Sequence, residues 1–286
     1  MLAVGVIALW VVGLGMLARQ EFFRPHLERL AEAGLRINQS TAFFAVSRSN
    51  GLVGYASSII DTTQNEILIT NYLVTEIAGP RPRSTTRAKI RLTRTFRLKD
   101  FESSIITNSL NIKTTGRIDG DSMIFSLSSN DKPPTVRTIR LDGPILLPQL
   151  VPLAIALTQR PKVGKEYTFP VFDPSRQSVV QVKSTVHAES TFILADTVGL
   201  DSTTHTWKGL RDVPVLAWRV TSTPGGFNGW LDETGQIIRT TDLESDVMRT
   251  TFEQSFENWM LIVNKKRADE AAMAAIRRGT GSPRRP

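Results

Sequence analysis

Cysteine is absent from the 286 residues, and histidine occurs only as His26, His187 and His205. Without a sulfur ligand or thiol, the chain cannot build a disulfide framework, a thiolate zinc site, an iron–sulfur cluster or a cysteine nucleophile. Phosphate-cradling signatures are missing as well: the sequence contains neither G-x-x-x-x-G-K-[ST] nor G-x-G-x-x-G. Long apolar runs are scarce, with one exception at the N-terminus. What is present is ordinary globular material, 41% hydrophobic and 22% charged, with 35 Lys+Arg against 27 Asp+Glu, a formal charge of +8 and a pI near 10.0. That length fits one large domain or two small ones.

The exception is residues 2–18, LAVGVIALWVVGLGMLA, which hold no charged side chain. At about 1.5 Å per residue this run reaches roughly 26 Å, close to the ~30 Å hydrocarbon core, with Arg19 placed to snorkel. It has no basic n-region, and Met16 breaks a small-x-small cleavage pattern before Ala18, so residues 1–18 are expected to be an uncleaved transmembrane anchor. Residues 19–35 change character. Phe23, Leu27, Leu30 and Ala31 recur at helical spacing between charges, with Pro25 suited to the start and Gly34 to the end. This pattern predicts a short amphipathic helix near the membrane surface, with Arg19, Phe22 and Phe23 as lipid or partner contacts.

From residue 36 to 262 the sequence predicts a β-rich extrinsic domain, with two sub-domains, 36–143 and 162–262, as one division of it. Strands are expected at 41–46, 52–59, 66–77, 87–101, 103–116, 123–129, 135–142, 166–172, 178–189, 215–223, 227–233 and 236–241. Asn50-Gly51, Asp119-Gly120 and Asp232-Glu233-Thr234-Gly235 supply hairpin chemistry. Consecutive hairpins imply an antiparallel sheet with one buried face. Two helices interrupt. PQLVPLAIALTQ (148–159) is apolar nearly all round and too short to span a bilayer, so it is expected to lie against the concave face of a curved sheet. A second helix is expected from about Asp246, presenting Phe252, Phe256, Trp259 and Val263 on one face. The fold class is therefore mainly β (α+β): a transmembrane helix, then a large curved antiparallel sheet packed on a few helices.

Catalytic and metal chemistry finds little support. His187 falls on a polar strand face with Lys183 and Thr185, His205 sits in a Thr-rich loop, and His26 has no ligand-type residue at metal spacing. The Arg117-Ile118-Asp119-Gly120-Asp121 turn lacks a full calcium loop. No cofactor is expected. Two basic features remain. Alternation along 87–101 places Lys89, Arg91, Arg97 and Lys99 on one face, with few acids nearby, which suits a carboxylate surface or lipid phosphate. Arg94 falls on the apolar side and has to be ion-paired, at a bulge or near the sheet's end. The second feature is the tail, residues 263–286, where Lys265, Lys266, Arg267, Arg277, Arg278, Arg284 and Arg285 face only Asp269 and Glu270 and contribute +5. Gly279, Gly281, Pro283 and Pro286 favour disorder there, and the lack of aromatic residues from Lys265 onward argues against nucleic acid. Anionic lipid or an acidic protein is the expected partner.

The runs FFAVSRSNGLVGYASSIIDT (43–62), LTRTFRLKDF (92–101), GRIDGDSM (116–123), KVGKEYTFPVFDP (162–174) and GWLDETGQIIR with MRTTFEQSFENW (within 229–259) resemble the membrane-anchored β-rich region ahead of bacterial transglutaminase-like domains. The likeness covers most of residues 10–260 and implies a sheet-over-helix fold outside the cytoplasmic membrane. It outweighs the charge argument, since Arg19, Arg24 and Arg29 after the span would favour a cytoplasmic C-terminus. Lacking cysteine, the chain cannot supply the Cys-His-Asp triad of that family. A β module kept with its anchor and without its enzyme also resembles the accessory S subunits of bacterial photosynthetic reaction centre–light-harvesting complexes. That resemblance implies a non-enzymatic, single-pass structural subunit with reaction-centre and antenna polypeptides as partners. A periplasmic carrier of lipid or another hydrophobic ligand is the alternative, because a curved sheet over an apolar helix can enclose a cavity.

Overall fold

The computed structural model describes residues 30, 32, 34–49, 51–76, 83–130, 132–224, 227–242 and 245–279. Fourteen strands form one antiparallel sheet in the order β8-β7-β6-β5-β4-β3-β2-β1-β14-β13-β12-β11-β10-β9. The first eight are β1 (Ser40–Arg48), β2 (Gly51–Thr62), β3 (Glu66–Glu76), β4 (Arg83–Thr93), β5 (Leu98–Ile106), β6 (Asn111–Asp119), β7 (Ser122–Ser129) and β8 (Thr135–Arg140). They step outward from β1 as a meander. The second run is β9 (Glu166–Asp173), β10 (Ser178–Asp201), β11 (Thr206–Thr223), β12 (Asn228–Asp232), β13 (Ile237–Asp242) and β14 (Ser245–Thr250). It steps back toward β1, and β14 pairs with β1 from Phe43↔Thr250 to Ser47↔Asp246, so strands of both halves of the chain share one sheet.

The sheet curls. Phe125 on β7 lies 5.1 Å from Phe172 on β9, and Phe101 on β5 lies 6.1 Å from the same ring, although these strands stand toward opposite edges of the sheet order. Between them sits the link from β8 to β9. It makes a 3-10 turn over Pro148–Leu150 and then helix α1, Val151–Thr158. The expected burial of this segment against the concave face is what the structure has. Leu146, Leu150, Val151, Ala154 and Ile155 are at most 2% exposed and share one core with Ile67, Ile90, Phe125, Phe169, Trp218 and Leu231 of the sheet. Apolar residues all round the helix are what burial on every side requires. Gly235 in the β12–β13 turn, at φ +80°, approaches so closely that a Cβ there would stand 2.6 Å from Leu153 Cα.

Three expectations about elements need correction. The run 87–101 is a hairpin, not one strand: it turns at Thr93–Arg97, where Phe96 takes φ +58° and buries its ring. The turn carries no Gly or Asn; the left-handed conformation is tolerated because Phe96 gains burial there. The run 103–116 breaks likewise at Thr107, whose hydroxyl accepts from the Leu110 amide at 3.0 Å. The segment from Asp246 begins as strand β14, and α2 occupies Asn258–Gly279 after a π turn at Glu253–Glu257. Arg94 therefore sits in a turn, where its guanidinium donates to Leu35 O at 2.8 Å.

On the convex face α2 covers β2 and β3. Trp259 and Val263 are buried against Val74, with Tyr55 and Tyr72 beside them, and Tyr55 lies 5.3 Å from Trp259 and 4.9 Å from Phe256. The long β10–β11 hairpin reaches the same side, where Leu194 packs with Ile238 and Met248 and the Trp207 amide donates to Asn258 Oδ1 at 2.8 Å. Among the described residues no helix is long and apolar enough to cross a membrane; the expected span, residues 1–18, lies outside them. Leu30, at the end of the expected juxtamembrane helix, is 1% exposed and joins the main core. Replacing Leu150 or Ile155 by Ala should lower stability by roughly 2–5 kcal/mol in urea unfolding of the full chain. Val136→Ala on the exposed edge should change it by less than about 0.5 kcal/mol.

Candidate interaction surface

The predicted cation ladder is reorganised by the hairpin. Once the chain turns at Thr93–Arg97, β5 returns alongside β4 and brings Asp100 opposite Arg91 and Glu102 opposite Lys89. Arg91 holds Asp100 through two bonds, Nε–Oδ1 at 2.8 Å and a second at 2.5 Å. Lys99 pairs with Glu66 of β3, and Lys113 of β6 reaches Glu102 at 2.7 Å. The expectation of a row short of acids is thus corrected. Cations and acids intermix across β3 to β6; of the four ladder cations Arg91 and Lys99 are ion-paired, while Lys89, opposite Glu102, and Arg97, in the turn, form no ion pair among the described residues. The hydrogen bond from Lys99 holds Glu66 below the usual carboxylate range, and the bond from Lys113 does the same for Glu102.

A different polar centre lies where the two meanders meet. Asp232 Oδ1 accepts the Thr234 and Gln236 amides at 2.9 and 3.0 Å and the Thr234 hydroxyl at 2.7 Å. Its second oxygen accepts from Arg249 on β14 at 2.6 Å, with the two side chains 9% and 16% exposed. One carboxylate therefore shapes the β12–β13 turn that presses Gly235 on α1 and ties it to the strand beside β1. This pair belongs to the fold.

The catalytic candidates stay apart. His187 occupies a bulge in β10 and its Nε2 lies 2.6 Å from Thr221 Oγ1 on an exposed face, while His205 takes φ +53° in the β10–β11 turn. Among the described residues no group of three His, Asp or Glu side chains is arranged to hold a metal ion.

Surface features without an internal role are found elsewhere. After Val263, α2 leaves the sheet. Every residue from Asn264 to Ala275 is exposed, Met273 by 61%, although Lys266 reaches back to Glu76 at 3.2 Å. Lys265, Lys266 and Arg267 thus belong to an ordered helix where disorder was expected, with Arg277 and Arg278 near its C-terminal end. Arg19, Phe22 and Phe23 lie outside the described residues. A groove of about 470 Å³ opens at the far end of β8 between Arg97, Arg140, Asp121 and Asp142, floored by Leu98 and Ile145. Alternation in the sequence could not have shown this groove, because its walls come from two hairpin turns and the β8–β9 link.

No protein-family model matches the chain. No curated protein matches it either. Among solved structures it is similar to a β-barrel-like protein of domain of unknown function DUF1849 from Brucella abortus, at 12% identity and a TM-score of 0.49, over 74% of this chain and 94% of that one.

Asp232→Ala should cost about 3–5 kcal/mol in denaturant unfolding by stranding Arg249, whereas Arg91→Gln on the exposed ladder should cost about 1 kcal/mol or less. Because Glu66 and Glu102 are held below their ordinary value of 4.5, their contribution is complete above that pH and is lost as pH falls through the lower folded-state values. An E66Q/E102Q chain should accordingly show a flatter acid limb than the parent in melting curves taken from neutral pH downward, with no added slope above pH 6 as a rough bound.

Proposed function

We propose that the chain is a non-enzymatic, single-pass accessory subunit that stabilises a membrane protein assembly, with its β domain on the periplasmic side. The observation that carries this reading is the free length of α2. From Asn264 to Ala275, beyond the buried Val263, every side chain of the helix is exposed, a run of about 18 Å at 1.5 Å per residue. Tertiary packing normally supplies most of a helix's stability, and a stretch of this length is marginal alone in water. Its cation cluster suits an acidic protein face or anionic headgroups, and with the hydrophobic run at residues 2–18 it gives the chain two attachments to one assembly. A bacterial reaction centre–light-harvesting complex is the assembly proposed, on the resemblance of the sequence.

The carrier reading competes for the concave face. That face is occupied by Leu150, Val151, Ala154 and Ile155, so a lipid would have to displace α1 to enter.

The test is a mild-detergent pull-down of the tagged full-length chain from its native membrane, with absorption spectra and mass spectrometry of the proteins and lipids that accompany it. Pigmented complex with reaction-centre and antenna polypeptides is the expected result. A K265E/R267E chain should recover at least about tenfold less of it while melting at the same temperature, because exposed charges contribute little to folding. Recovery alone would overturn the proposal, and recovery with lipid only would replace it by the carrier.

A further inference from the structure

The two edges of the sheet end differently. Along β9 the incoming link lies as a partial extra strand: the Leu146 amide donates to Pro170 O at 2.9 Å, and its carbonyl accepts from the Phe172 amide at 2.8 Å. That edge is covered at Pro170–Phe172. At the other edge, β8 pairs with β7 from Thr135↔Leu127 to Arg140↔Ser122, and among the described residues no backbone hydrogen bond of 135–140 goes to another element. Alternate residues of such a strand direct N–H and C=O away from the sheet. Five of the six residues of β8 are exposed, Val136 by 60%.

The chemistry of this edge selects among occupants. β8 carries Arg137 and Arg140 and no acid, and β7 beside it carries no charge at all. Neither arginine is ion-paired among the described residues, and Arg140 shares the groove at the end of β8 with Arg97. A second copy fits poorly: a symmetric β8–β8 ribbon sets Arg137 on one face and Arg140 on the other against an identical strand that carries no carboxylate. Arginines and a short strand are a common defence against self-pairing, and the same charges favour an incoming acidic strand.

We infer that β8 is a strand-addition edge for an extended, acidic segment of a partner protein. Its backbone pairs along Thr135–Arg140, its apolar side chains lie beside Val136 on one face, and its carboxylates meet Arg137 on the other. This deepens the accessory-subunit reading, on which it rests for the existence of a partner.

The probe is a fluorescent (Glu-Val)4 peptide, with (Lys-Val)4 and a (Glu-Val)4 peptide N-methylated at alternate amides as controls, titrated onto the full-length chain in detergent. Anisotropy should report binding of the first peptide, weakened about tenfold or more by the R137E/R140E substitutions and by N-methylation, since strand addition depends on main-chain bonds. Hydrogen exchange across 135–140 should slow by at least about tenfold on binding. Equal binding of the N-methylated peptide, or protection at a segment other than β8, would overturn the inference. So would dimerisation of the parent chain that R137E/R140E abolishes, which would give the edge to a second copy. The membrane pull-down separates the two proposals. If R137E/R140E recovers the parent's partners while the parent fails to bind (Glu-Val)4, the edge is wrong and the accessory role stands; if the parent recovers nothing, the accessory role fails and the peptide result judges the edge alone.

Discussion

Two meanders joined into one fourteen-stranded sheet leave two edges and one large apolar concavity, and the burial of Ile145–Leu147 and Leu150–Ile155 in that concavity is the constraint on which the fold depends. β8 and β9 do not pair with each other, so the curl is not held by a closed hydrogen-bond ladder. It is held by side chains. The link that must connect the two edges supplies them, from Ile145 through Ile155, and on its way Leu146 covers the backbone of β9. Fully buried Leu and Ile side chains contribute roughly 1.5–3 kcal/mol each, so this single connection outweighs any surface ion pair in the molecule.

The second dependency is the seam between β1 and β14, which converts two meanders into one sheet. Asp232 secures it indirectly: the carboxylate orders the turn that seats Gly235 on α1, and the same group holds Arg249 on β14. A buried ion pair is seldom a source of stability by comparison with apolar packing, but breaking one is costly. Its value here lies in tying the interior segment to the seam, so that the two halves are positioned by a shared residue.

Much of this was legible in the sequence, and the failures have one physical origin. Strands with clean alternation and Gly or Asn turns, such as β2 with Gly51 or β7 with Gly120, were legible because local chemistry and burial agree there. The interior helix was legible for the same reason, since an apolar run bounded by prolines and too short for a bilayer has few other places to go. The turn at Thr93–Arg97 was not. Phe96 occupies the left-handed position, and what holds it there is a ring buried in a core assembled from distant strands. That one missed turn also distorted the reading of the surface. With 87–101 taken as a single strand, Lys89, Arg91, Arg97 and Lys99 formed an unneutralised row; as a hairpin Arg91 meets Asp100 and Lys89 stands opposite Glu102 of their own return strand, Lys99 meets Glu66 of β3, and Arg97 is set apart in the turn. β14 was missed for a related reason, because the helical spacing of Phe252, Phe256 and Trp259 was extended backward over a segment whose partner, β1, lies some 200 residues earlier in the chain.

Once Arg91 and Lys99 of the ladder are paired internally, the distribution of charge changes its meaning. The tail from residue 263 carries +5 of the formal +8, which leaves +3 on residues 1–262. Most acids described in the sheet have a cation of the fold beside them, as Asp100, Glu66, Glu102, Asp232 and Asp246 do. Such a body has little long-range field of its own, and the field that remains is concentrated on α2 and the residues C-terminal to it. Attraction to an acidic partner or headgroup would then act first through the helix, at distances up to about one Debye length, roughly 8–10 Å at moderate salt. Backbone pairing is directional and acts only at contact, so an edge such as β8 could fix register after that encounter but could not steer it.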